Sequence, residues 1–180
     1  MGFLFLIYNF KFITLIVTGQ VYKFNILVWI LSLVVIVFLV FSAVFDLKYM
    51  ILPDFSTIIL VSSALLLWFS GHFSQWDYLI SAILSFGFLG FLYLVTKKKG
   101  MGFGDVKLAF FMGLFLGWPK IIIAFYVAFI VGAAISLILI IFKKAGRKTQ
   151  IPFGPFLILG TLIAWWWGEV LTLSIFQFIR

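Results

Sequence analysis

From Ile121 to Phe142 the chain carries no charged side chain. A membrane-crossing helix needs about 20 consecutive apolar residues, and this run supplies them. Other apolar runs accompany it: Phe3–Val17, interrupted by Asn9 and Lys11; Asn25–Phe45; Phe55–Ser70; Tyr78–Thr96; the short Val106–Trp118, which contains Lys107; and a last run that begins near Phe153 and reaches Trp165–Trp167. None alternates polar and apolar residues, as the roughly 10-residue strands of a membrane barrel do. The pattern predicts an all-α polytopic membrane bundle of about six or seven transmembrane helices, a single domain over residues 1–180.

Composition closes off the other classes. Of the 180 residues 66% are hydrophobic and 10% charged, against roughly 45–50% apolar in a soluble domain. Disorder requires the opposite balance. The absence of cysteine excludes a disulfide, a thiolate-ligated zinc, an iron–sulfur cluster and a thiol nucleophile in this chain. The net charge of +8 comes from lysines and arginines at the ends of apolar runs. There they set orientation and meet anionic lipid, so no nucleic-acid partner is expected. Met1–Val17 lacks a basic leading region and a small-residue cleavage site, so no removable signal is expected there.

The basic residues also give the runs a direction, because cytoplasmic loops carry the excess of lysine and arginine. The connection Asp46–Asp54 holds Lys48, Lys97–Asp105 holds Lys97, Lys98 and Lys99, and Lys143–Pro152 holds Lys143, Lys144, Arg147 and Lys148. They alternate with Gly71–Asp77 and Pro119–Lys120, in which Lys120 is the sole lysine or arginine. The first set is expected to face the cytoplasm. Trp68, Trp76, Trp118 and Trp165–Trp167 then mark the opposite interface as an aromatic belt.

The acids are Asp46, Asp54, Asp77, Asp105 and Glu169. A carboxylate at mid-bilayer costs about 2.5–3.5 kcal/mol on insertion scales, so each needs a reason. Asp77 and Glu169 fall near the outer interface, where solvation or helix capping accounts for them. Asp54 opens a helix after Pro53 and is read as a structural helix cap, accepting orphan backbone N–H groups. Asp105 follows the loop Gly102-Phe103-Gly104, and capping serves as a reading there too. Asp46 has no such reading. It lies at a helix C-terminus, where the macrodipole disfavours a carboxylate, and Lys48 offsets it only in part. His72 falls in an outer loop, away from these acids. Gly113 and Gly117 have GxxxG spacing and are expected to let the short fifth run pack closely.

If Asp46 and Asp105 approach within a few ångströms, they cannot both ionise easily and share a proton. The ionised member then takes a proton from water attacking a peptide carbonyl, and its protonated partner hydrogen-bonds the carbonyl oxygen, the division of labour of aspartic proteases. Such hydrolysis needs neither metal nor covalent intermediate. The same two acids also suit a proton- or solute-coupled carrier, which would show inverted repeats or broken helices in matching halves; no convincing pair is present. A non-catalytic scaffold of a pilus or secretion assembly is the third possibility, and it would tolerate loss of both carboxylates.

Three segments carry a resemblance. Asp46-Leu47-Lys48-Tyr49-Met50-Ile51-Leu52-Pro53-Asp54 resembles the aspartate signature ending in Leu-Pro-Asp of bacterial type IV prepilin peptidases. Gly102-Phe103-Gly104-Asp105-Val106-Lys107-Leu108 resembles their GxGDxKL signature, and Ile151-Pro152-Phe153-Gly154-Pro155-Phe156-Leu157 their C-terminal PFGPFL segment. The segments occur in the family's order, each on the side expected to be cytoplasmic. The resemblance implies a GxGD intramembrane aspartyl endopeptidase of the bacterial inner membrane. Such an enzyme removes the short basic leader of type IV prepilins, or of the pseudopilins of type II secretion, at the cytoplasmic face. By motif, Asp46 and Asp105 are the catalytic pair, with Asp54 kept as the cap.

Physical reasons fit the remaining letters. Gly102 and Gly104 remove side chains beside Asp105 and permit φ > 0 and close approach of a substrate backbone. Pro152, Gly154 and Pro155 are expected to break helix and leave backbone groups unpaired beside a wet cavity. Lys107 is expected to snorkel toward headgroups. Many members also carry an N-terminal region with paired CxxC motifs and N-methylate the product. This chain has no cysteine, so neither zinc nor S-adenosylmethionine dependence is expected, and no other cofactor.

Overall fold

Apolar runs in lipid are helical because a helix satisfies its backbone polar groups within one segment. A computed structural model describes residues 26–69, 76–96, 101–142 and 152–179, with side chains to Thr172. Its helices are α1 (Ile26–Tyr49), α2 (Asp54–Phe69), α3 (Trp76–Val95), α4 (Phe103–Leu116), α5 (Lys120–Ile141) and α6 (Gly154–Ile179). No strand occurs among the described residues. The run Phe3–Val17, His72, Lys97–Lys99, Lys143–Lys148 and Ile151 lie outside them. The chain divides between Ile30 and Leu31 into two units. Of the first, only the opening turn of α1 is described; all the packing below lies within the second.

The helices α1, α3, α5 and the Gly154–Thr172 part of α6 are long and apolar enough to cross a membrane, and α2 is a shorter apolar helix. The chain is therefore a polytopic helical membrane protein. Its outward faces carry residues such as Leu33, Val37, Ile83, Leu84, Phe91, Tyr126 and Leu137, all exposed, which is the surface that hydrocarbon solvates.

At its centre stands α4. With 14 residues it is about 21 Å long, too short to span about 30 Å of hydrocarbon. It packs against α3 most extensively, and also against α2, α5 and α6. Val106, Leu108, Ala109, Phe111, Met112, Leu114 and Phe115 are all buried, and from Leu108 onward the helix is accordingly apolar all round. Close approach of α3 and α4 depends on Gly113, where a Cβ would stand 2.5 Å from Ala82 Cα and collide with the Ser81 carbonyl oxygen. Gly160 plays the same part against Ala124 of α5. Small residues at such crossings let backbones touch where no hydrophobic effect drives association. The other expected packing glycine, Gly117, serves differently. Its φ of 66° ends α4 in the left-handed region, packed under the Tyr78 ring.

Hydroxyls buried in the bundle are satisfied at home. Ser63 donates to the Ile59 carbonyl at 2.8 Å, Ser85 to Ser81 at 2.5 Å and Thr161 to Leu157 at 2.8 Å. At the end where α4 gives way to α5, Lys120 pairs with Glu169 at 3.2 Å. Trp76, Trp118, Trp166 and Trp167 are exposed near that end, as the expected belt requires. Trp68, half-buried at the end of α2, keeps its indole nitrogen inside without a hydrogen-bond partner.

Candidate active site

The first acid arrives on α1. That helix runs past Phe45 to Tyr49, which places Asp46 inside its last turn, 5% exposed. The chain then turns at Met50, whose φ of 54° is left-handed, with its N–H on the Asp46 carbonyl at 2.8 Å. Glycine usually holds this position after a helix; a side chain there stores strain of order 1 kcal/mol. The turn carries Ile51-Leu52-Pro53 directly into α2.

The second acid stands three residues past Gly102, in the first turn of α4, also 5% exposed. Asp105 Oδ2 accepts the Gly102 N–H at 3.2 Å, and the Asp105 N–H donates to the Gly102 carbonyl at 3.2 Å. The N-cap position itself belongs to Gly102, so Asp105 is not the N-cap; from the third helical position its Oδ2 reaches back to the Gly102 N–H and leaves Oδ1 to face elsewhere.

What Oδ1 faces is the start of α6. A Cβ on Gly154 would stand 2.5 Å from Asp46 Oδ2 and 3.4 Å from Asp105 Oδ1. Those two distances together bound the separation of the carboxylate oxygens at about 6 Å, within the range over which like charges perturb one another. The Gly154 N–H faces the Asp46 carboxylate, while Asp46 Oδ2 is buried and has no hydrogen-bond partner. The acid misplaced at the C-terminus of α1 is therefore met by the positive N-terminal end of α6. Lys48, expected to share that task, lies instead over the Tyr49 ring at 5.2 Å.

The segment around Gly154 corrects an expectation. Pro152, Gly154 and Pro155 do not break a helix but begin one: the Phe153 carbonyl accepts from Phe156 N–H at 3.1 Å and from Leu157 N–H at 3.2 Å. Pro155 is tolerated because the N–H it lacks is one a first turn leaves unbonded. Gly104 faces Leu52. A Cβ there would stand 2.8 Å from Leu52 Cβ, so the missing side chain makes room for Leu52. Neither Gly102, with φ −74°, nor Gly104 uses a positive φ; Gly117 is the positive-φ glycine among the described residues.

Asp54 is not part of this pair. It opens α2 and its exposed carboxylate accepts from Lys107 Nζ at 2.7 Å. Lys107 thus pairs with Asp54 and lies over the Phe103 ring at 5.3 Å. Two residues along a helix turn a side chain to the opposite face, so Asp54 and Lys107 line a separate groove of about 350 Å³ with Thr57, Ile58, Phe86 and Phe110. Leu52 and the buried Ser42–Ser56 hydrogen bond of 2.9 Å are parts of the surroundings that sequence reasoning missed. Serines on apolar helices were the available signal. Among the described residues, no cluster of three or more histidines and acids is placed to hold a metal.

Comparison with known proteins follows the same residues. The model of the type IV leader peptidase family matches residues 33–137, a span that includes Asp46 and Asp105. A protein of Stutzerimonas stutzeri named prepilin leader peptidase/N-methyltransferase is 34% identical over 140 residues, 75% of this chain and 48% of its own length. One of the same name from Aeromonas hydrophila is 38% identical over 132 residues, covering 71% and 46%. Another from Legionella pneumophila is 34% identical over 154 residues, covering 82% and 54%. The chain spans about half the length of these curated relatives. No solved structure matches it.

Proposed function

Because the chain belongs to the type IV leader peptidase family, we propose that it is an aspartyl endopeptidase that removes the basic leader from prepilins or pseudopilins. The observation that carries this reading is the meeting of Asp46 and Asp105, buried carboxylates from separate helices, across Gly154. Two carboxylates so close hold a proton between them. The ionised one takes a proton from a water as the water oxygen bonds to the scissile carbonyl carbon. The protonated one donates its hydrogen bond to the carbonyl oxygen. Collapse of the tetrahedral species breaks the C–N bond, and a proton passes from the dyad to the leaving amine. The N-terminal end of α6 favours negative charge at this place. Lysine-rich connections support placing the site at the cytoplasmic face of a bacterial inner membrane.

The relatives are named for two activities, and the carboxylate pair accounts for the peptidase one. The test is co-expression with a candidate prepilin, reading leader removal by intact mass. Cleavage is expected from the wild type, and loss of at least about a thousandfold from Asp46→Asn and from Asp105→Asn, the scale on which essential hydrolytic groups act. Wild-type rates in both variants would remove the aspartyl mechanism. The product mass also shows whether a methyl group has been added.

A further inference from the structure

Among the described residues the extensive helix pairings join α4 to α3, α2, α5 and α6, and α5 to α6; α1 is outside them and meets the bundle through a narrow buried stripe of Val35, Leu39, Ser42 and Asp46. Yet α1 carries Asp46. We infer that Leu52–Ser56 is a positioning clamp, tying the Asp46 end of α1 to the Asp105 end of α4 and so setting the separation of the two carboxylates.

One arm of the clamp holds α1. Ser42 lies one helical turn before Asp46 and therefore on the same face. Its hydroxyl donates to Ser56 Oγ at 2.9 Å, and Ser56 donates in turn to the Pro53 carbonyl at 2.8 Å. Both serines are buried. Beside them the rings of Phe41 and Phe55 meet with centroids 5.6 Å apart. A buried hydroxyl chain in an apolar bundle has no water to fall back on, so it resists separation of the helices it joins.

The other arm holds α4. Leu52, 7% exposed, fills the space beside Gly104, the residue before Asp105; a Cβ there would come 2.8 Å from Leu52 Cβ and 3.3 Å from its Cδ1. Because the nearest atom is the Cβ, fixed to the backbone, a new methyl group is accommodated only by moving the segment. The Asp54–Lys107 pair at 2.7 Å bridges the same two elements, but with Asp54 largely exposed it adds little. The apolar seat and the buried hydroxyls therefore carry the clamp. They give the Leu-Pro-Asp segment a role other than touching substrate.

Gly104→Ala tests this with an unusual sign. Alanine is the better helix former, so without a clamp the change is neutral or stabilising. With one, it drives Leu52 and α1 away from α4. Leu52→Gly removes the opposing Cβ and relieves the conflict; Leu52→Ala keeps that Cβ and does not. The chain has no cysteine, so Asp46→Cys with Asp105→Cys provides a single thiol pair in this chain in membranes. Cross-linking by a short bifunctional thiol reagent, scored only on protein that is monodisperse after extraction, reads the separation without any activity.

Gly104→Ala is expected to change the cross-linking rate several-fold. Adding Leu52→Gly should restore it, and adding Leu52→Ala should not. Ser56→Ala, which cuts the other arm and leaves Gly104 untouched, should also shift it. In the aspartate-bearing chain the same series should lower and restore kcat for leader cleavage, by roughly ten- to hundredfold, with KM little changed. This kinetic arm rests on the proposed peptidase activity; the cross-linking arm does not. Cross-linking unmoved by Gly104→Ala and by Ser56→Ala, or restored as well by Leu52→Ala as by Leu52→Gly, overturns the clamp. The expected cross-linking pattern without any prepilin cleavage would leave the clamp standing and count against the proposed activity alone.

Discussion

At Gly154 a methyl group would occupy the space between the two carboxylates. Its Cβ would stand 2.5 Å from Asp46 Oδ2, well inside ordinary contact. Gly154→Ala is therefore expected to displace Asp46 and lower prepilin cleavage by roughly a hundredfold. Membrane levels should stay at those of the wild type, since a first helical turn accepts alanine readily. A wild-type cleavage rate in that variant would mean that the carboxylate moves aside freely. Sequence reasoning marked Gly154 as shaping the site but gave it the wrong reason, helix breaking. A Pro two residues before and another one after look like a break on paper. Only the packing reveals that Pro155 sits where a helix begins and that the empty Cβ position is filled by acids from elsewhere. Asp54 is similar: its place at a helix start was legible from Pro53-Asp54, but its partner Lys107 is 53 positions away, beyond any local pattern.

Among the elements, α4 depends most on one residue. Gly113→Leu would push the backbone of α3 off α4 at Ser81 and Ala82. Overpacking of this kind costs about 1–3 kcal/mol or more, read as a fall in unfolding temperature in detergent. Gly87→Leu is the matched comparison. A Cβ at Gly87 meets nothing within 4 Å, so that change should be close to neutral. Equal effects at the two positions would show that helix propensity, not contact, governs both. The existence of each described helix was legible because runs of apolar residues in lipid have one backbone solution. Helix ends were less legible. The run ending at Phe45 was read as the end of the span, yet α1 continues to Tyr49. One further turn of helix is what buries Asp46.

For the whole molecule, the helix ends bearing Asp46, Asp54, Asp105 and Gly154 share one end, and Gly117 with Lys120 and Glu169 lies at the other. The lysine distribution is the basis for proposing that the first end faces the cytoplasm. In the cysteine-free chain, Met50→Cys and Met101→Cys should react with an impermeant thiol reagent only from the cytoplasmic side, and Trp118→Cys only from the opposite side. Labelling of all three from one side would overturn the arrangement, and reversed labelling its orientation.

Sequence alone determined the all-helical membrane class, because length and hydropathy are local properties and lipid permits few backbone solutions. It also left Asp46 without a local reason, since a carboxylate in an apolar chain is costly, and the motif resemblance paired it with Asp105. Tertiary structure decided which surfaces meet: that α6 begins against both acids, that Leu52 occupies the space beside Gly104, and that Lys107 belongs to Asp54. These depend on contacts between residues far apart in the chain, whose distances are set by packing rather than by any periodicity a sequence displays.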